Sequence, residues 1–190
     1  MTIITVTTPR NRLSQQQRRA LAELLTDAVL VPEVGQHAPA ARPGFQVQFV
    51  ERTLDRMAIG GRLLCDYSAM PDVAAIDICV MDAAWPKPVR KQVIENVLAA
   101  MAKACDMSEP SPAWWVTFRV IDEGSWGSRG RVLSILELLA SGVFTPERIA
   151  EIRETQAQPQ TLSRASSATA DATLGNRSSG SFASMPSISR

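Results

Sequence analysis

The sequence predicts an α+β fold in which one β-α-β unit is used twice, and three observations carry that prediction. First, a strand, a polar turn and a short basic glycine motif occur in that order in both halves. One copy runs Gly44-Phe45-Gln46-Val47-Gln48-Phe49-Val50-Glu51 to Ile59-Gly60-Gly61-Arg62-Leu63-Leu64. The other runs Trp114-Trp115-Val116-Thr117-Phe118-Arg119-Val120-Ile121-Asp122-Glu123 to Ser128-Arg129-Gly130-Arg131-Val132-Leu133. Second, each copy follows a stretch of helical apolar period, itself preceded by a strand-like run. Third, the registers agree: laid over one another, Val47 and Phe49 fall on Val116 and Phe118. A slip of one residue would have reversed every side chain.

Taken in order, Thr2 to Thr8 is rich in β-branched residues and is ended by Pro9, which reads as a strand. Ser14-Gln15-Gln16-Gln17 fits a capping box, with the Ser14 hydroxyl and the Gln17 amide satisfying orphan donors at a helix start. Leu21, Leu24, Leu25, Ala28 and Val29 then form one apolar stripe, so the helix is expected from about Ser14 to Leu30. Pro32 to Gly44, rich in proline and glycine, reads as a loop. It holds His37, the single histidine, whose plainest reading is a solvated loop residue. Phe45, Val47 and Phe49 alternate with Gln46 and Gln48, as in a sheet covered by helices on one side. Arg52 to Arg56 is a charged turn, and Gly60-Gly61 permits a sharp reversal.

Ala75 to Met81 opens the second unit as another strand. Trp85-Pro86-Lys87-Pro88 limits where its helix can begin. Val89, Val93, Ile94, Val97, Leu98, Met101 and Cys105 then keep helical period on one face. In the strand from Trp114, Val116, Phe118 and Val120 share one face, with Trp115, Thr117 and Arg119 on the other. Trp114 is therefore assigned to the core, and Trp115 to a pocket or an interface. Val132 to Ala140 reads as a short helix ended by Gly142. Thr145-Pro146-Glu147 starts another, running to about Glu154. From Thr155 the chain is dominated by serine, alanine and glutamine, and cannot bury enough surface to offset its ordering entropy. The expected organisation is one domain over 1–154, with units at about 2–64 and 75–133, and a disordered serine-rich tail over 155–190.

The 190 residues suffice for one domain with a core and are few for two. Twenty basic and nineteen acidic residues give a net charge of +1, so the basic footprint of a nucleic-acid binder is absent. No apolar run approaches the roughly 20 residues of a membrane span. The start of the chain lacks the basic and apolar regions of a signal peptide, so a cytoplasmic protein is expected. Cys65, Cys79 and Cys105 are far apart without C-x-x-C spacing, which argues against a disulfide or a metal site.

The stretches Ile3-Ile4-Thr5-Val6, Arg12-Leu13-Ser14, Leu21-Ala22-Glu23-Leu24-Leu25-Thr26-Asp27-Ala28-Val29, and Asp122-Glu123-Gly124-Ser125-Trp126-Gly127 together resemble the tautomerase superfamily. The resemblance spans roughly residues 2 to 133. It is strongest to the fused two-unit members, such as the cis-3-chloroacrylic acid dehalogenase and malonate semialdehyde decarboxylase groups. It implies a four-stranded sheet backed by two helices, assembly as a trimer, and no metal or organic cofactor. It also implies chemistry by an N-terminal proline amine beside arginines that hold a substrate carboxylate.

At the key position the chain departs from that pattern, because Thr2 stands where the family has proline. Removal of Met1 would leave a primary α-amine, whose unperturbed pKa of about 7.7–8.0 suits a general base. Arg12 matches a carboxylate-binding arginine of the family, with a solvated turn arginine as the alternative. The corresponding position of the second unit is Trp85. The histidine, tyrosine and late glutamate of the cis-dehalogenase group fall on Val29, Thr117 and about Ser128, which argues against that dehalogenation. The strand arginine of the small tautomerases falls on Gln46 and Trp115. Trp126 takes the place of the aromatic pocket wall, or packs across a subunit interface. Arg62, Arg119, Arg129 and Arg131 are the further candidate carboxylate partners. Two functions follow: a tautomerase-like isomerase of a small enol or 2-oxo carboxylic acid using the amine at Thr2, or a non-catalytic trimer of this fold that binds a small acid or a protein.

Overall fold

The computed structural model describes residues 1–128 and 130–157, so Arg129 and most of the serine-rich tail lie outside the described residues. The first unit comprises β1 (Thr2–Pro9), α1 (Gln15–Val34), β2 (Phe45–Arg52) and a hairpin of β3 (Ala58–Ile59) and β4 (Arg62–Leu63). The second comprises β5 (Ala74–Met81), α2 (Lys87–Ala104), β6 (Trp114–Ile121) and a hairpin of β7 (Trp126–Ser128) and β8 (Arg131–Leu133). Two further helices follow, α3 (Ile135–Leu139) and α4 (Pro146–Ala157).

The four long strands form one sheet in the order β2-β1-β5-β6. Within each unit the two strands run parallel, which requires the crossover helix between them. The units join through β1 and β5, which pair antiparallel and set Thr2 opposite Val80, Ile4 opposite Ile78 and Val6 opposite Ile76. These even-numbered residues face α1 and α2 and are buried. Leu21, Leu25, Ala28 and Val29 of α1 meet them, as do Val93, Val97, Ala100 and Met101 of α2. Each fully buried aliphatic side chain contributes about 1.5–3 kcal/mol, so this single layer contact supplies most of the folding drive. Gln46, Gln48, Thr117 and Arg119 look out from the opposite, helix-free face. Trp114 is buried, while Trp115 on that open face is 64% exposed.

The capping box at Ser14 is formed: its hydroxyl accepts from the Gln17 main-chain N–H, and its own N–H donates to the Gln17 side chain. Gly60 and Gly61 both take positive φ in the β3–β4 turn. Three local expectations differ. Helix α1 does not stop at Leu30 but continues through Pro32 to Val34. A proline in the last turn sacrifices one helical hydrogen bond, and burial of Val34 with the Arg148 bond to the Glu33 carbonyl offsets it. Gly35, at φ 84° in the left-handed region, then ends the helix with its N–H on the Val31 carbonyl. Val132 and Leu133 are not helical but pair with Gly127 and Trp126 across the β7–β8 hairpin. Ser134 then caps α3 by accepting from the Leu136 N–H. The segment before β2 is also not wholly irregular, since Pro39–Gly44 winds as a 3₁₀ helix.

Candidate functional site

The start of β1 opens into a cleft of about 370 Å³, a size that suits a small ligand. Met1, Thr2 and Ile3 form one wall. Gln46 of β2 and Cys79 of β5 floor it, and Ser125, Trp126 and Ser128 close the far side. The sheet register explains the grouping: Gln46, Ile3, Cys79 and Arg119 lie opposite one another in a row across the helix-free face. Gly124, at φ 81°, turns the chain after β6 so that Trp126 swings back over the start of β1. Among the described residues no carboxylate lines this cleft.

The sequence-predicted residues divide between the two ends of β1. Thr2 and Trp126 meet at the cleft. Arg119 is two strands from Ile3, roughly 10 Å at ordinary strand spacing. Its exposed guanidinium makes no ion pair among the described residues. Arg131 lies opposite the cleft residue Ser128, but its guanidinium pairs with Glu137 at 2.7 Å. Arg12 lies beyond the other end of β1. It grips Asp72 through Nε at 2.5 Å and Nη2 at 2.7 Å, which raises its already high pKa further. Arg62 is also at that far end, where it donates to the Asp66 carbonyl and stacks on the Tyr67 ring at 4.8 Å. Arg129 lies outside the described residues. Trp85, in place of the second arginine, is a core residue: its indole donates to the Met81 carbonyl and meets the Phe118 ring edge-on at 5.1 Å.

Two residues at the site escape a sequence reading. Glu33 is only 2% exposed, yet its carboxylate lies 3.6 Å from the α-amine of Met1. The hydroxyl of Thr2, itself 1% exposed, donates to the same carboxylate at 3.4 Å. Burial pushes the Glu33 pKa up, and the nearby amine and hydroxyl only partly oppose it. Arg148 reaches in from α4. Its guanidinium donates to the main-chain carbonyls of Glu33 at 3.1 Å, Ala83 at 2.6 Å and Ala84 at 3.1 Å. The spacing Leu21, Leu25, Val29, Glu33 is the available signal: Glu33 is the next residue on the apolar stripe, and a carboxylate there is out of place. Arg148 gives no such signal, because its three acceptors come from distant parts of the chain.

A larger cleft, of about 470 Å³, opens at the start of α2. Its lining sets Asp82, Glu151 and Glu154 against Arg90 alone, a field unsuited to an anionic ligand. Among the described residues no group of His, Cys, Asp and Glu could hold a metal ion, and no helix is long and apolar enough to cross a membrane.

Sheet order, paired β-α-β units and a cleft at the first strand define the tautomerase fold in its fused two-unit form, and solved structures agree. A native fused 4-OT superposes with a TM-score of 0.56 at 21% identity, covering 68% of this chain and 94% of its own. A fused 4-OT that forms a symmetric trimer gives 0.55 at 18%, covering 74% and 98%. N1, a member of the cis-3-chloroacrylic acid dehalogenase family, gives 0.57 at 19%, covering 80% and 99%. No protein-family model matches the sequence, and no curated protein matches it. At these identities the likeness establishes the fold.

Proposed function

We propose that the cleft at the start of β1 is a tautomerase-like site that moves a proton on a small enol or 2-oxo carboxylic acid. The observation that carries this reading is the placement of the chain's amino end. It lines a ligand-sized cleft that it shares with the Trp126 indole and in which, among the described residues, no carboxylate stands. With Met1 removed, the free amine of Thr2 takes the hydroxyl proton of the enol. The resulting ammonium delivers a proton to the adjacent carbon, so the proton count is unchanged and neither metal nor organic cofactor is required. Trp126 supplies the apolar wall, and Arg119 offers a bidentate fork to the substrate carboxylate.

Self-association belongs to the same reading. Among the described residues β2 and β6 each leave one edge of the sheet unpaired, and Trp115 of β6 stands exposed. A trimer, the form of one solved fused 4-OT of this fold, would cover those edges. Arg12 and Arg62, at the far end of the strands, would reach a cleft only from another copy. The working domain is residues 1–154.

A second reading has its own observation. Thr2 replaces proline, and its hydroxyl is turned inward onto Glu33, so the cleft could hold a small acid without turning it over. Intact mass establishes whether Met1 is present, and ketonisation of phenylenolpyruvate is then compared between the parent chain and Thr2→Pro. Turnover by the parent with Met1 removed supports the enzyme. Retained Met1 with no turnover, or a parent that is silent while Thr2→Pro works, supports the acid-binding reading.

A further inference from the structure

We infer that Met1 is a plug: its removal joins the outer cleft to an inner apolar cavity, and the opened site takes a 2-oxo acid with an apolar side chain in preference to a dicarboxylate. This deepens the reading of the cleft as the site and rests on it. The inner cavity, of about 170 Å³, lies beside the 3₁₀ segment. Met1, Pro43 and Gly44 line both spaces and so form the partition between them. Met1 fills its share of that partition closely, since a Cβ added at Gly44 would lie 3.2 Å from the Met1 sulfur. Its carbonyl accepts from the Met81 main-chain N–H at 3.2 Å.

Departure of Met1 changes the junction in two ways. A passage opens beside the new amine of Thr2. The N–H of Met81, a residue 1% exposed, loses its acceptor, and a buried donor without a partner favours a ligand oxygen in its place. Beyond the passage lie Val34, Phe45, Leu138, Val143 and Phe144. An apolar cavity of about 150 Å³ holds a benzene ring, so an isobutyl group fits. The ligand then keeps its carboxylate in the outer cleft and sends its side chain inward. Among the described residues no lysine, arginine or histidine lines the inner space. The carboxyl that does line it, on Glu33, is pushed toward its neutral form by burial. A second carboxylate on the ligand would be buried there without a cation, which is costly.

The test compares two forms of the chain, one beginning at Met1 and one released from a fusion to begin at Thr2, with intact mass confirming each. Calorimetry measures binding of 4-methyl-2-oxopentanoate, pyruvate and 2-oxoglutarate. In the form that begins at Thr2, the branched acid binds at least about tenfold tighter than pyruvate, as burial of one such side chain implies, and 2-oxoglutarate gains nothing over pyruvate. In the form that keeps Met1 the preference is lost. Ala41→Phe, which fills the inner cavity from the 3₁₀ segment, removes the preference from the Thr2 form; should it fail to fold, the two parent forms decide alone. A preference equal in both forms, or absent from the Thr2 form, overturns the inference. So does 2-oxoglutarate binding as tightly as the branched acid, or a folded Ala41→Phe that keeps the preference. The preference without ketonisation of phenylenolpyruvate keeps the cavity in its role and removes the proton transfer. Ketonisation without the preference does the reverse.

Discussion

Replacing Arg148 by methionine tests how the amino end is held, and its cost can be worked from the geometry. Arg148 is 7% exposed and satisfies three carbonyls, on Glu33, Ala83 and Ala84. Methionine fills the space of the arginine stem but offers no donor, so all three acceptors lose this partner at once. A buried acceptor left without a partner costs about 1–3 kcal/mol, and the low half of that range applies to carbonyls with a second lone pair, giving about 3–6 kcal/mol in all. The lost ion pair with Glu151 adds little, since that carboxylate is more than half exposed. Against a domain stability of about 5–15 kcal/mol, the variant folds but loses a large share of its margin. Urea unfolding followed by tryptophan fluorescence reads this as a lower midpoint at unchanged slope. Arg148→Lys, with a single ammonium for three dispersed acceptors, falls in between. A loss below about 1 kcal/mol for Arg148→Met would refute the clamp, because that is the ordinary effect of a substitution without one.

Three further outcomes are expected. Gly35→Ala is strained twice, by its φ of 84° and by a Cβ only 2.6 Å from the Thr145 hydroxyl oxygen. It costs at least about 1–2 kcal/mol in thermal or urea unfolding. Glu33 carries a raised folded pKa, so above its unfolded value the folded chain binds the extra proton, and its contribution to stability falls as pH rises. The decline has a limiting slope of about 1.4 kcal/mol per pH unit. Denaturation from pH 4 upward shows a steeper decline in the parent than in Glu33→Gln; parallel curves would contradict the burial argument. Arg119→Ala weakens binding of a 2-oxo carboxylate by about tenfold or more, the worth of one charge-assisted hydrogen bond. Titration calorimetry measures it, and unchanged affinity would remove Arg119 from the site.

Local chemistry announced much of this protein. The β-branched run of β1, the Ser14 capping box and the Gly60-Gly61 turn act through neighbours a few residues away, and each is legible without the rest of the fold. The match of Val47 and Phe49 to Val116 and Phe118 went further, because a sheet with one covered face enforces register. The ends of elements were harder. Whether α1 stops before Pro32 is decided by Arg148 and Thr145, more than a hundred residues downstream, which pack on Glu33 and Gly35. At the site the same division holds. Thr2 and Trp126 could be placed by motif order, whereas the commitments of Arg12 to Asp72 and of Arg131 to Glu137 depend on partners that spacing does not reveal. Glu33 stood in view, on an apolar stripe, as a charge that only an unseen partner could justify.

The central claim is that the amino end of the chain works in the cleft beside Trp126, and blocking that amine tests it most directly. Cyanate at mildly acidic pH carbamylates the α-amine ahead of lysines, and mass on the N-terminal peptide confirms the site. Ketonisation of phenylenolpyruvate is then followed before and after modification. The account predicts a fall of about 10²–10⁴-fold, the usual contribution of a positioned acid–base group, with the fold retained by circular dichroism. An unchanged rate on a fully carbamylated chain would contradict it.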